Sequence, residues 1–132
     1  MAASLMSARL SQLGRAWRAE SAGLGALSGE PADPLAVELL SQRGLDLSRH
    51  RARPLTAALA CDFELILVME GSQVRGVEEV FPAARGRVHR LGRFGGFEIP
   101  DPYLQSRAAF VASLRLIEQG VEAFARVFWS ST

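Results

Sequence analysis

DFELILVME, residues 62–70, contains the run ELILVM, in which no polar residue interrupts the apolar ones after Glu64. A strand with one solvated face alternates apolar and polar side chains, whereas a strand covered on both faces does not. The run therefore predicts an internal strand of a parallel sheet over 64–69. Downstream, SQVRGVEEVF (72–81) reads as a helix that ends at Pro82, and RVHRL (87–91) alternates like a further strand. Upstream, LTAALAC (55–61) reads as a short helix behind the connection LDLSRHRARP (45–54).

The same reading extends to both ends. Asp33 is a suitable N-cap with Pro34 at the first helical position, which predicts a helix running to Gly44. Ahead of it, AGLGALSGEPAD (22–33) is a loop and AWRAES (16–21) a short strand. In MAASLMSARLSQLG, the spacing of Leu5, Met6, Leu10 and Leu13 predicts a helix over 2–13 stopped by Gly14. From Gln105 to about Trp129, Phe110, Leu114, Ile117, Val121, Phe124 and Phe128 recur at steps of three and four, as in a long helix docked on a core. Strands alternating with helices imply an α/β fold, a parallel sheet flanked by helices in three layers, within one domain spanning 1–132. One feature is unusual. An open sheet of this kind normally begins with a strand whose end carries the ligand loop, and this chain begins with a helix.

Of the 132 residues 48% are hydrophobic, enough for one core, and the net charge of +1 implies no pull towards nucleic acid. The fifteen basic residues are all arginine, which together with abundant Ala and Gly and no Asn suggests GC-rich coding rather than guanidinium chemistry. A lone cysteine, Cys61, cannot form an internal disulfide or a thiolate metal site, and its place before the apolar strand suggests a buried structural thiol. His50 and His89 are too few and too separated to suggest a metal centre. No apolar run approaches the ~20 residues of a membrane span, and the N-terminus lacks the apolar stretch of a signal peptide, so the cytoplasm is the expected location. No nucleotide-binding glycine motif occurs.

FEIPDPYLQS (97–106) sets Asp101 between two prolines and places Tyr103 after them. Proline fixes its own φ and drives the preceding residue to extended geometry, so Asp101 is held stiffly. Such rigidity suits a carboxylate that must deliver a proton; a turn aspartate capping the helix near Gln105 is the bland alternative.

Taken together, WRAESAGLGAL (17–27), PADPLAVELLSQRGLDLSRHRAR (31–53), DFELILVME (62–70) and IPDPYLQSR (99–107) resemble the low-molecular-weight protein-tyrosine phosphatases. The branch they most resemble is the bacterial one associated with exopolysaccharide tyrosine kinases. The resemblance implies a four-stranded parallel sheet with its first strand at the centre, followed by a phosphate loop of form C-x5-R-S. It implies hydrolysis of phosphotyrosine on proteins through a cysteinyl-phosphate, without metal or cofactor. A tyrosine autokinase of capsule or exopolysaccharide export would be the partner. Asp101 matches the general acid/base, and Tyr103 a ring that stacks on the substrate. His50 and Ser21 match groups that brace the phosphate loop, and Leu24 and Leu27 are read as a wall of the substrate pocket. For each, a plain packing, surface or strand-end role is the alternative.

The loop itself is not found: six residues beyond Cys61 stands Leu67, not Arg. Since MAASLMSARL is similar to the helix that follows that loop in the family, Met1 is expected to be an internal methionine. About fifteen residues, a central strand of ~5–6 plus the loop and a short lead, would then be missing through a misassigned start or a real loss. The chain alone is expected to be inactive. It is also expected to be molten, aggregating, or rearranged so that AWRAES pairs directly with ELILVM. A non-catalytic pseudophosphatase or gene remnant is the alternative, and an arsenate reductase a weaker one because that chemistry relays through more cysteines. The arginines of SRHRAR (48–53) could meet a phosphorylated tail but read first as a solvated charged face.

Overall fold

The structure, a computed structural model, describes residues 1–14, 17–23, 29–103 and 105–128. Helix α1 spans Ala2–Gln12 and buries Met6 and Leu10; Gly14 leaves its end with φ 68°. Helix α2, Pro34–Ser41, starts as the sequence predicts: an Asp33 carboxylate oxygen accepts the Leu35 N–H at 2.8 Å and Pro34 opens the first turn. It stops three residues before Gly44, whose N–H turns back to the Ser41 carbonyl. Helix α3, Ala57–Asp62, is capped by Thr56. Strand β1, Ile66–Val68, is followed by α4, Gly71–Val80, then by β2, Val88–Arg90, and by the long helix α5, Arg107–Phe128.

The architecture is α/β, with helices flanking a parallel sheet. Ile66, Leu67 and Val68 pair in parallel with Val88, His89 and Arg90. The pleat sends alternate side chains to opposite faces. Leu65, Leu67 and Met69 join the core built by Met6, Leu10, Leu91, Ile99, Ile117, Val121 and Phe124, while Ile66 and Val68 join Val77, Ala84 and Val88 beneath α4. A third cluster joins Leu39, Leu40 and Leu47 to Phe110 and Leu114. The apolar stripe of α5 is buried through Phe124. Phe128, expected on the same stripe, is 54% exposed, because it lies in the last turn and stacks outward on Phe124 at 5.7 Å.

The four strands implied by the family resemblance number two among the described residues. The strand expected over 16–21 is not formed at residues 17–21, and Ala16 lies outside the described residues. Nor does this segment pair with β1. A strand exists only through a hydrogen-bonded neighbour. Between 19–23 and β1 lies a cavity of about 360 Å³, so there is no ladder for 17–21 to join. The segment is held on its other side: Gly23 donates to the Arg53 carbonyl at 3.0 Å and accepts from the Leu55 N–H at 2.8 Å, making one parallel bridge to Pro54.

Candidate active site

Asp101 is positioned from two directions. The Ile99 N–H donates to the Met69 carbonyl at 3.0 Å, so the loop hangs from the C-terminal end of β1, and the Ile99 side chain is buried. One residue earlier, Glu98 accepts the Gly71 N–H at 2.6 Å, placing a carboxylate at the start of α4. Ser113, 1% exposed within α5, donates its hydroxyl to the Pro100 carbonyl at 2.8 Å. With Ile99 and Pro100 pinned and prolines on either side, little torsional freedom is left to Asp101.

One carboxylate oxygen of Asp101 accepts the Tyr103 N–H at 3.0 Å, and its carbonyl accepts from Gln105 Nε2. The Tyr103 bond is the turn the bland alternative expected, but Asp101 does not cap the following helix. The Ser106 hydroxyl, not Asp101, accepts the Ala109 N–H at the start of α5. The Asp101 side chain is exposed, and Tyr103, two residues on, is 64% exposed. A stiffly held, accessible carboxylate beside an open aromatic ring can exchange a proton with an aromatic group stacked on that ring.

His50 is half-buried in the connection after α2, its N–H donating to the Leu47 carbonyl. Its imidazole is held below the ordinary histidine pKa, first by burial and then by the positive charges of the Met1 ammonium, Arg51 and Arg53. Ser21 is exposed and lines both the slot beside β1 and an open groove on the other side of its segment, shared with Ser4, Ser7 and Asp46. Among the described residues no hydrogen bond or ion pair joins Asp101 or Tyr103 to His50 or Ser21. Leu24 and Leu27 lie outside the described residues.

Four residues were not singled out by sequence reasoning. Arg53 donates Nε to the Ser21 carbonyl at 2.9 Å and Nη2 to Glu20 at 2.7 Å, and Arg51 donates to the Ser48 and His50 carbonyls. The run SRHRAR is thus in part a brace for the 20–23 segment rather than only a solvated face. Ser113 and Glu98 gave no local signal. Cys61, expected buried, is exposed. On a helix as short as α3 only Ala60 turns inward, and the next residue, about 100° further round, meets solvent.

A family model for low molecular weight phosphotyrosine protein phosphatase matches residues 1–129. The chain belongs to that family. Within it, the chain is 48% identical over 104 residues to the probable low molecular weight protein-tyrosine-phosphatase EpsP of Ralstonia nicotianae, covering 79% of this chain and 72% of that protein. It is 39% identical over 110 residues to the low molecular weight protein-tyrosine-phosphatase Wzb of Escherichia coli K12, covering 83% and 75%. The solved Wzb phosphatase of Vibrio vulnificus, in complex with benzylphosphonate, superposes with a TM-score of 0.89 at 33% identity, covering 96% of this chain and 88% of that one. Helices around a parallel sheet are the arrangement this chain shares with these phosphatases.

Proposed function

We propose that this chain supplies the acid–base half of a phosphotyrosine phosphatase site. Protonated Asp101 gives its proton to the tyrosine oxygen as a cysteine thiolate bonds to phosphorus and the bond from that oxygen to phosphorus breaks, leaving a cysteinyl-phosphate. The same carboxylate then takes a proton from the water that attacks the cysteinyl-phosphate, releasing inorganic phosphate and the thiolate. Tyr103 stacks on the substrate ring. His50 and Ser21 brace a phosphate-binding turn ahead of α1, where the helix N-terminus favours anionic oxygens.

Cys61 is not the nucleophile in this reading. It is exposed on α3, and no arginine stands six residues beyond it to hold phosphoryl oxygens. Since Cys61 is the one cysteine of the 132 residues, the nucleophile and the arginine that would hold phosphoryl oxygens in this reading are not among them. The substrate class is a phosphotyrosine protein in the cytoplasm, with a tyrosine autokinase of capsule or exopolysaccharide export as the partner.

The observation that carries the reading is the Asp101 loop, pinned at Ile99 and Pro100 while Ser106 relieves Asp101 of capping. Hydrolysis of phenyl phosphate by the 132-residue chain, by a form extended with a strand and C-x5-R-S ahead of Met1, and by each with Cys61→Ser tests it. Turnover only in the extended form, unaffected by Cys61→Ser, is expected. Turnover by the short chain that Cys61→Ser abolishes would contradict it, and an inert extended form would favour a non-catalytic role.

A further inference from the structure

The turn that carries Asp101 is bonded within itself. The Asp101 carboxylate accepts the Tyr103 N–H at 3.0 Å, the Pro102 carbonyl accepts the Gln105 N–H at 2.9 Å, and the Asp101 carbonyl accepts from Gln105 Nε2 at 3.3 Å. These bonds fix the shape of the turn and leave its place over the sheet open. Place is set by the bonds that leave it. Upstream, the Gly71 N–H donates to Glu98 and the Ile99 N–H to the Met69 carbonyl, which ties residues 98 and 99 to the start of α4 and the end of β1. Both ties stop short of Asp101, and Pro100 and Pro102 have no N–H to offer another.

The anchor nearest Asp101 comes from α5. The Ser113 hydroxyl donates to the Pro100 carbonyl at 2.8 Å. That carbonyl lies in the planar peptide unit that also holds the Asp101 nitrogen and Cα, so the hydroxyl sets the tilt of this plane. Pro102 restricts the Asp101 backbone to extended geometry, and the tilt of the plane then decides where the Asp101 side chain points.

Packing alone does not explain Ser113. It shares the buried stripe of α5 with Phe110, Leu114 and Ile117, and at 1% exposure it is the one polar side chain buried among the described residues. A hydroxyl within a helix ordinarily donates back to a carbonyl of its own helix. This one reaches 13 positions away to the loop. Alanine would fill the stripe with no hydroxyl to satisfy.

We propose that Ser113 is a positioning residue for proton transfer, holding the Pro100–Asp101 peptide so that the Asp101 carboxyl meets the leaving oxygen. This role rests on the acid–base reading of Asp101 and adds to it that the acid is aimed by one hydroxyl of α5. Proton transfer needs the acid within ~3 Å of its target, and a displacement of ~1 Å lowers the rate far more than the affinity.

A double-mutant cycle between Ser113→Ala and Asp101→Asn tests it, in the form extended with C-x5-R-S. The substrates are phenyl phosphate and an aryl phosphate with a weakly basic leaving group. Ser113→Ala alone should lower kcat on phenyl phosphate about tenfold, leave KM nearly unchanged and spare the second substrate. In the Asp101→Asn background the same change should cost less than about twofold, since its effect runs through that carboxyl. Ser113→Thr keeps the hydroxyl and should restore most of the rate. A second readout needs no turnover. In the 132-residue chain, Ser113→Ala should lower the NMR order parameter of the Asp101 N–H, which lies in the freed plane, while those of Phe110 and Leu114 hold.

Equal losses on both substrates, or equal losses with and without the Asp101 carboxyl, would make Ser113 a structural residue only and overturn the proposal. So would an unmoved Asp101 amide. If Asp101→Asn itself shows no leaving-group dependence, the acid–base reading fails and this role falls with it. Leaving-group dependence for Asp101→Asn with none for Ser113→Ala overturns the role of Ser113 alone.

Discussion

Arg53 and Glu20 lie 33 positions apart in sequence and meet at 2.7 Å, Nη2 to Oε1, while the same guanidinium donates Nε to the Ser21 carbonyl. This contact and the Gly23 bridge position the wall that faces β1. Arg53→Met keeps the stem but loses the carbonyl hydrogen bond, worth about 1 kcal/mol, which corresponds to a thermal midpoint lower by about 3 °C. Hydrogen exchange at Gly23 should quicken in parallel.

The ion pair carries a pH signature. Glu20 is held below the usual carboxylate range, chiefly by its Arg53 hydrogen bond, with the Arg18 and Arg53 charges adding to it. A carboxyl whose folded pKa is lowered contributes stability that is full above its unfolded value, about 4.3, and fades as pH falls through the folded one. Urea midpoints of wild type and Glu20→Gln, compared from pH 7 to pH 3, should differ most at neutral pH and converge in acid.

His50 runs the same way for a different reason. Burial and nearby positive charge favour its neutral form, so below about pH 6.5 the unfolded chain binds the proton more readily than the folded one. Wild type should lose stability as pH drops from 7 through the lowered folded value. His50→Gln should lack that component, giving a flatter profile over pH 7 to 5. An equal slope in both would remove His50 from the account.

Gly120 lies where α5 crosses the end of β2. A Cβ there would stand 2.7 Å from Leu91 Cγ and 2.9 Å from the Leu91 carbonyl oxygen. Alanine favours a helix interior by about 1 kcal/mol, but this overlap with main chain opposes it. Gly120→Ala is expected to be destabilising by about 1–3 kcal/mol in denaturant unfolding. A more stable variant would mean that α5 sits further from β2.

Where local chemistry decides, the sequence was readable. The Asp33 cap, the Pro34 helix start, the unbroken run of β1 and the stripe of α5 each follow from neighbours within a turn or two. AWRAES was misread because strand identity is not local: the segment has strand-compatible residues, yet a cavity stands where a pairing partner would be. Cys61 was misread by one residue of helical phase. Arg53 looked like part of a charged run because its partners, Glu20 and Ser21, come near it only in the folded chain. The rigidity of the Asp101 loop was legible from its prolines, whereas the anchors that complete it, Ser113 and the main chain of Met69, were not.

Asp101 itself is tested by leaving-group dependence in the form extended with C-x5-R-S. With Asp101→Asn, hydrolysis of phenyl phosphate, whose leaving phenolate is strongly basic, should fall about 10²–10³-fold, while an aryl phosphate with a weakly basic leaving group should lose far less. The thermal midpoint should hardly move, since Ser106 caps α5. Equal losses on both substrates, or no loss on phenyl phosphate, would contradict proton delivery by Asp101.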